Sequence, residues 1–84
     1  MMVSVRLFAR AKELAGTDRL LLAIEVNGGQ AVVADIRREL ERVFPSLVGL
    51  AARSVFALND DIVDDSCPVP AWAELALLPP VSGG

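Results

Sequence analysis

The spacing of apolar residues switches twice along this chain, and that switch limits the possible folds more than any other feature. Val33, Ile36, Leu40, Val43 and Phe44 recur at steps of three and four, which is the spacing of one helical face. On both sides the step falls to two. Val3, Val5 and Leu7 alternate with Ser4, Arg6 and Phe8, and Leu20, Leu22, Ile24 and Val26 share one side of "RLLLAIEV". Beyond the helix, "SVFALN" and the short "IV" read as two further strands. "ELALLPP" reads as a last one, with Leu75 and Leu77 opposite Glu74, Ala76 and Leu78. An order of two strands, one long helix and more strands predicts an α+β domain in which the helix covers one face of a sheet.

Punctuation residues support these limits. Gly16 and Asp18 in "AGTD" suit a chain reversal, "NGG" breaks the pattern before the helix, and Pro45 ends the helix by forcing the preceding residue out of helical geometry. "NDD" is a tight turn, and Pro68 and Pro70 keep "SCPVPAW" out of regular structure because each lacks a backbone donor. "ARAKEL" reads as irregular, and "SLVGLAA" is given no element. The last strand candidate is nearly free of charge, which places it inside the sheet, and Pro79 and Pro80 stop its pairing. On the helix, Asp35 with Arg38 and Glu39 with Arg42 are opposite charges three residues apart on a solvated face.

Composition narrows the function classes. A chain of 84 residues is one domain, and at that size only about 60–65% of the unfolded surface is buried, so a lasting partner helps stability. The 54% hydrophobic content supplies a core, yet no apolar run reaches the ~20 residues of a membrane helix. A net charge of -3 argues against general nucleic-acid binding, which needs basic surfaces. "MMVSVRLFAR" has no secretory-signal pattern, so a cytoplasmic location is expected.

Ordinary catalytic sets are also missing from the sequence. There is no histidine and one cysteine, so neither an internal disulfide nor a Ser-His or Cys-His pair is available, and no metal site is expected. Lys12 stands next to Glu13 on a stretch that reads as exposed. Cys67 reads as a bystander thiol in a loop. Asp60, Asp61, Asp64 and Asp65 lack the alternating spacing of a calcium loop and read as a solvated turn. What is left is the end of the chain, Val81, Ser82, Gly83 and Gly84, expected as a flexible tail after a domain spanning residues 1–80. By composition alone it is either a frayed terminus or an arm with a purpose. Two glycines without Cβ atoms can thread a narrow channel and present the terminal carboxylate to a nucleophile or a nucleotide phosphate.

The segments "VSVRLFARAKELAGTD", "ALNDDIV" and "ELALLPPVSGG" resemble, in order and over nearly the whole chain, the MoaD family of ubiquitin-like sulfur carriers, the small subunits of molybdopterin synthase. The resemblance implies a β-grasp fold, with the first and last strands side by side and parallel. It also implies carrier chemistry with no permanently bound cofactor. An ATP-dependent adenylyltransferase of the ubiquitin-activating type would activate the carboxylate of Gly84, sulfur would replace the nucleotide as a thiocarboxylate, and Val81, Ser82 and Gly83 would thread the tail into its partners. The large synthase subunit, in an assembly of two small and two large chains, would receive the sulfur for the dithiolene of molybdopterin. Related carriers for thiamin, tungsten-cofactor or amino-acid synthesis share this logic, and a pure interaction module or a modifier joined to lysines is a rival of another class.

The family pattern and side-chain parity together imply a partner-binding surface. If Val5, Leu7, Leu75 and Leu77 face the helix, then Phe8 and Leu78 face outward on adjacent strands, unless a local twist or the "ARAKEL" segment covers Phe8. Ile62 matches a third apolar family position, and Pro79 and Pro80 adjoin the tail. One departure stands out: the family has an acidic-glycine-acidic turn before the last strand, and this chain has Ala71, Trp72 and Ala73 there. Trp72 is expected to tuck onto the end of the sheet, the alternative being that it adds to a binding surface.

Overall fold

Alternation is realised in β1 (Met2–Leu7), where Val3, Val5 and Leu7 are buried and Arg6 is exposed, and in β2 (Arg19–Ala23), where Leu20 and Leu22 are buried beside an exposed Leu21. In the computed structural model, which describes residues 1–26 and 28–80, these strands are followed by a helix, then β3 (Val55–Leu58), β4 (Asp61–Val63) and β5 (Glu74–Leu78). The five strands form one mixed sheet in the order β2-β1-β5-β3-β4. β1 and β5 are parallel neighbours, and every other pairing is antiparallel. The expected interior position of β5 and its parallel contact with β1 are both present.

The long helix, labelled α2 (Val33–Val43), buries Val33, Ile36 and Leu40 against the sheet, where they meet Val3, Val5, Leu7, Phe56, Leu75 and Leu77 in a single apolar core. Its N-terminus is not capped by a polar residue, since Val32 stands at that position. The Asp35 carboxylate instead accepts the Val32 N–H at 2.9 Å, and the next two N–H groups donate to the carbonyls of Cys67 and Asp65, each at 3.0 Å. The 64–69 loop therefore closes the helix end that local sequence leaves open. Helix formation stops at Val43, just before Phe44 and Pro45, and the Asp35–Arg38 and Glu39–Arg42 pairs form on the solvent side. The Arg42 guanidinium beside Glu39 holds that carboxyl below its usual range.

Three expectations need correction. "ARAKEL" is helical, within α1 (Ala9–Ala15), and "SLVGLAA" lies in a 3-10 turn (Pro45–Leu47) followed by α3 (Val48–Arg53). Neither α1 nor α3 is long enough to persist alone, since isolated helices below ~12 residues are marginal in water. They are held by burying Ala11, Leu47 and Ala51, and Gly16 ends α1 in the left-handed region with φ 76°. Val26 does not continue the buried face of β2: the strand ends at Ala23, Ile24 is the last buried residue, and Val26 is exposed.

Trp72 is the third correction. It does not tuck onto the sheet: 74% of its surface is exposed, and its φ is +64°. A left-handed backbone costs a residue with a Cβ about 1–2 kcal/mol, which explains why glycine suits this turn in the family pattern. Trp72→Gly is expected to raise stability by about 0.5–1 kcal/mol, the relief of strain being partly offset by the greater freedom of an unfolded glycine. Thermal unfolding checks it, and a lower midpoint would show that the indole makes contacts that outweigh the strain.

Arg37 joins parts of the fold that are distant in sequence. Its side chain is only 17% exposed; one guanidinium nitrogen donates to the carbonyls of Ala51 and Ser54 at the end of α3, the other pairs with Asp65 at 2.8 Å, and the group lies over the Phe56 ring. Arg37→Ala strands two carbonyls that terminate α3 and frees the loop that closes α2. Its expected cost is about 2–3 kcal/mol, which for a domain of this size lowers the melting midpoint by roughly 10 °C or more. A shift of only a degree or two would show that water replaces the guanidinium at no cost.

Candidate functional site

The face of the sheet away from α2 carries the residues singled out by parity. Register Leu7↔Leu77 in the parallel β1–β5 pair puts the next residues, Phe8 and Leu78, side by side, and Val55 stands opposite Leu78 in the neighbouring strand. Phe8 has extended backbone (φ -129°, ψ 157°), so it continues the outward side of β1 before the chain turns into α1. It is 39% exposed, which excludes full cover by α1, and the Arg6 guanidinium lies over its ring at 5.4 Å. Leu78 is half-buried and Val55 is exposed.

One row further along the same face, Arg19, Arg6, Ala76, Ala57 and Ile62 follow one another across the sheet, as their pairings require. Ile62 is the most exposed of these apolar side chains at 69%. The Asn59–Asp60 turn places it there: both residues have positive φ, 53° and 67°, the two-residue hairpin geometry that asparagine and aspartate tolerate. Phe8, Leu78 and Ile62 therefore share one face, joined by Val55 and, nearer the β2 edge, Leu21. Neither Val55 nor Leu21 was singled out from the sequence: the inward face assigned to Leu20 and Leu22 implied Leu21, whereas Val55 lies in the uniformly apolar run "VFAL", which marks no face.

Charge on this face is sparse and unevenly paired. Arg19 reaches Glu74 at 3.3 Å across β1, while its cross-strand neighbour Arg6 is committed to the Phe8 ring. A groove of about 360 Å³ beside the patch is bordered by Arg6, Phe8, Asn59, Asp60, Glu74 and Ala76. Its polar rim next to apolar side chains suits the surface of another protein rather than a small apolar ligand. In the loop after β4, Asp64 accepts the hydroxyl and the backbone N–H of Ser66, at 2.6 and 2.9 Å, which hold its carboxyl below the usual range. Asp64 and Asp65 thus both serve the loop that closes α2.

β5 ends at Leu78, and Pro79 and Pro80 follow at the same end of the sheet as Phe8. The expected tail residues, Val81, Ser82, Gly83 and Gly84, lie outside the described residues. No helix among the described residues is long and apolar enough to cross a membrane.

Comparison with known proteins agrees with this architecture. A molybdopterin synthase sulfur carrier subunit from Arabidopsis thaliana is 40% identical over 98% of this chain and 82% of its own length. SAMP1 from Haloferax volcanii superposes with a TM-score of 0.83 at 28% identity, covering all of both chains. A chain from the complex of subunits 1 and 2 of the molybdopterin-converting factor of Helicobacter pylori superposes with a TM-score of 0.67 at 27% identity, again over all of both. The fold is the ubiquitin-like β-grasp, with β1 and β5 parallel at its centre. The model of the ThiS family matches residues 5–84, from the first strand through the terminal glycines, and the chain belongs to that family.

Proposed function

We propose that this chain is a sulfur carrier for molybdopterin synthesis, acting in the cytoplasm through its C-terminal carboxylate. The observation that carries this reading is positional: the outward Phe8 and Leu78 stand side by side where the chain leaves the sheet toward Gly83 and Gly84. A partner docked on that patch is in reach of the carboxylate. The carrier name of a relative 40% identical over almost the whole chain supports the same reading.

The chemistry runs on the terminal group. The Gly84 carboxylate attacks the α-phosphate of ATP on an adenylyltransferase of the ubiquitin-activating type, releasing pyrophosphate and forming an acyl adenylate. A persulfide sulfur displaces AMP, and a thiol then cleaves the resulting acyl disulfide to leave a thiocarboxylate. The large synthase subunit, in an assembly of two small and two large chains, accepts the sulfur into the pterin precursor. Gly84 returns to a carboxylate with oxygen from water. Phe8, Ile62, Leu78, Pro79 and Pro80 dock the partner, and Val81, Ser82 and Gly83 thread its channel; the catalytic side chains are the partners'.

A second reading, a modifier joined to lysines, is favoured by one observation: a solved neighbour with a TM-score of 0.81 and 26% identity is a small archaeal modifier protein. Intact-mass spectrometry of the protein from its own cells separates the two. A fraction heavier by the exchange of one oxygen for one sulfur at the C-terminus supports the carrier; isopeptide-linked conjugates without that fraction overturn it in favour of the modifier.

A further inference from the structure

β2 and β4 are the two edges of the sheet, and only one of them is protected. β4 is three residues long, begins at Asp61 and is flanked by Asp60 and Asp64; short length and like charge are usual devices against edge-to-edge pairing. β2 reads "RLLLA", with no proline and no charge from Leu20 to Ile24. Its hydrogen-bonding phase is fixed by its partner strand. Met1 and Ile24 exchange both backbone bonds, at 2.8 and 2.7 Å, and the Leu7 N–H donates to the Asp18 carbonyl at 2.9 Å. With Val3 opposite Leu22 and Val5 opposite Leu20, alternation turns the amides of Leu20, Leu22 and Ile24 toward β1. Those of Arg19, Leu21, Ala23 and Glu25 face the open edge. The Thr17 hydroxyl meets both outward groups of Arg19, at 3.2 and 3.4 Å; among the described residues nothing equivalent serves Leu21 or Ala23.

We propose that this edge pairs with the same edge of a second copy of the chain, antiparallel about a two-fold axis at Leu22. In that register Leu21 lies opposite Ala23 of the second copy, in phase for both to exchange their free N–H and C=O groups. Leu20 lies opposite Ile24 on the core side, so the buried faces of the two sheets are continuous. Arg19, whose exposed pair with Glu74 lies across β1, then also lies opposite Glu25, an exposed carboxylate with no ion pair of its own among the described residues. Charge complementarity selects this register. Centring on Leu21 sets Arg19 against Ala23 and leaves Glu25 beyond the pairing, and any half-step shift turns core side chains onto the open face.

The flank of the edge is compatible with its own image. A groove of about 360 Å³ between β2 and α2 is lined by Ile24, Glu25, Asp35, Arg38, Glu39 and Arg42. Three acids and two bases are mixed there, so two copies meet without a field of one sign. β5 is the third strand in from this edge. Pairing through β2 therefore leaves Leu78 and Pro79 of both copies accessible, and the dimer can serve two partner proteins at once.

Sedimentation equilibrium of the purified chain from micromolar to millimolar concentration tests the pairing, with thermal unfolding confirming that each variant is folded. A reversible two-chain species is expected. Arg19→Glu or Glu25→Arg alone turns both symmetry-related pairs into like charges and is expected to weaken association about tenfold or more, and the double variant to restore it within about threefold. Ala23→Pro removes an N–H that only the second copy needs and is expected to abolish the dimer while β1 pairing persists. A single-chain species throughout the range overturns the proposal, as does a dimer indifferent to the single reversals or not restored by the double one.

Discussion

Deletion of Gly84 is expected to leave thermal unfolding unchanged and to abolish sulfur transfer. Among the described residues the apolar core is complete by Leu77 and pairing in the sheet ends at Leu78, six residues before the deleted one. Losing it withdraws the carboxylate by one residue, about 3.5 Å along an extended chain. Misplacement by even about 1 Å can cost roughly a hundredfold in rate, so activation at the shortened end should fall below detection. Gly83→Leu probes the same arm differently: the carboxylate keeps its reach, but a branched side chain must pass wherever the tail threads, and adenylation by the activating enzyme should slow with no change in stability. Reconstituted sulfur transfer and melting curves measured together check both variants. Dithiolene formation by the shortened chain would rule out chemistry on the terminal carboxylate.

The second large effect is expected at the patch. Phe8 is the aromatic member of the outward patch, and truncating an interface anchor of this kind costs about 2–4 kcal/mol, which weakens binding roughly thirtyfold or more. Phe8→Ala removes a side chain that is already 39% exposed, so the isolated domain should stay folded. Ile62→Ala, at 69% exposure, should behave in the same way with a smaller loss because less apolar area is involved. Leu78→Ala should weaken the complex too, with a modest loss of stability because Leu78 is half-buried against Val55. Trp72 provides the control. It precedes β5, at the end of the sheet opposite Leu78, and Trp72→Ala should leave affinity for the large synthase subunit unchanged despite removing the most exposed large apolar side chain among the described residues. Calorimetric titration against that subunit decides between these outcomes. Wild-type affinity in Phe8→Ala and Leu78→Ala, with folding confirmed, would move the interface off this face.

The sequence by itself determined the elements whose evidence is periodic. Strand alternation in β1, β2 and β5 and the three-and-four spacing of α2 are properties of neighbouring residues, and burial on one face makes each register costly to change. The outward positions of Phe8 and Leu78 followed from parity, Ile62 came from the family resemblance, and the terminal glycines needed no structure to be noticed. Tertiary structure decided whatever depends on residues remote in the chain. α1 and α3 are too short to hold themselves, so only packing under the sheet makes "ARAKEL" and "SLVGLAA" helical. Arg37 reads as one more charge on a solvated helix face, and only the fold brings Ala51, Ser54, Asp65 and Phe56 to it. The left-handed backbone of Trp72 carries no signature in a tryptophan, because the closure of β1 onto β5 imposes it: the Trp72 N–H must reach the Met2 carbonyl, which it does at 2.7 Å. Local pattern records which face a side chain takes, whereas long-range closure decides which irregular segments become ordered and which exposed residues are held under strain.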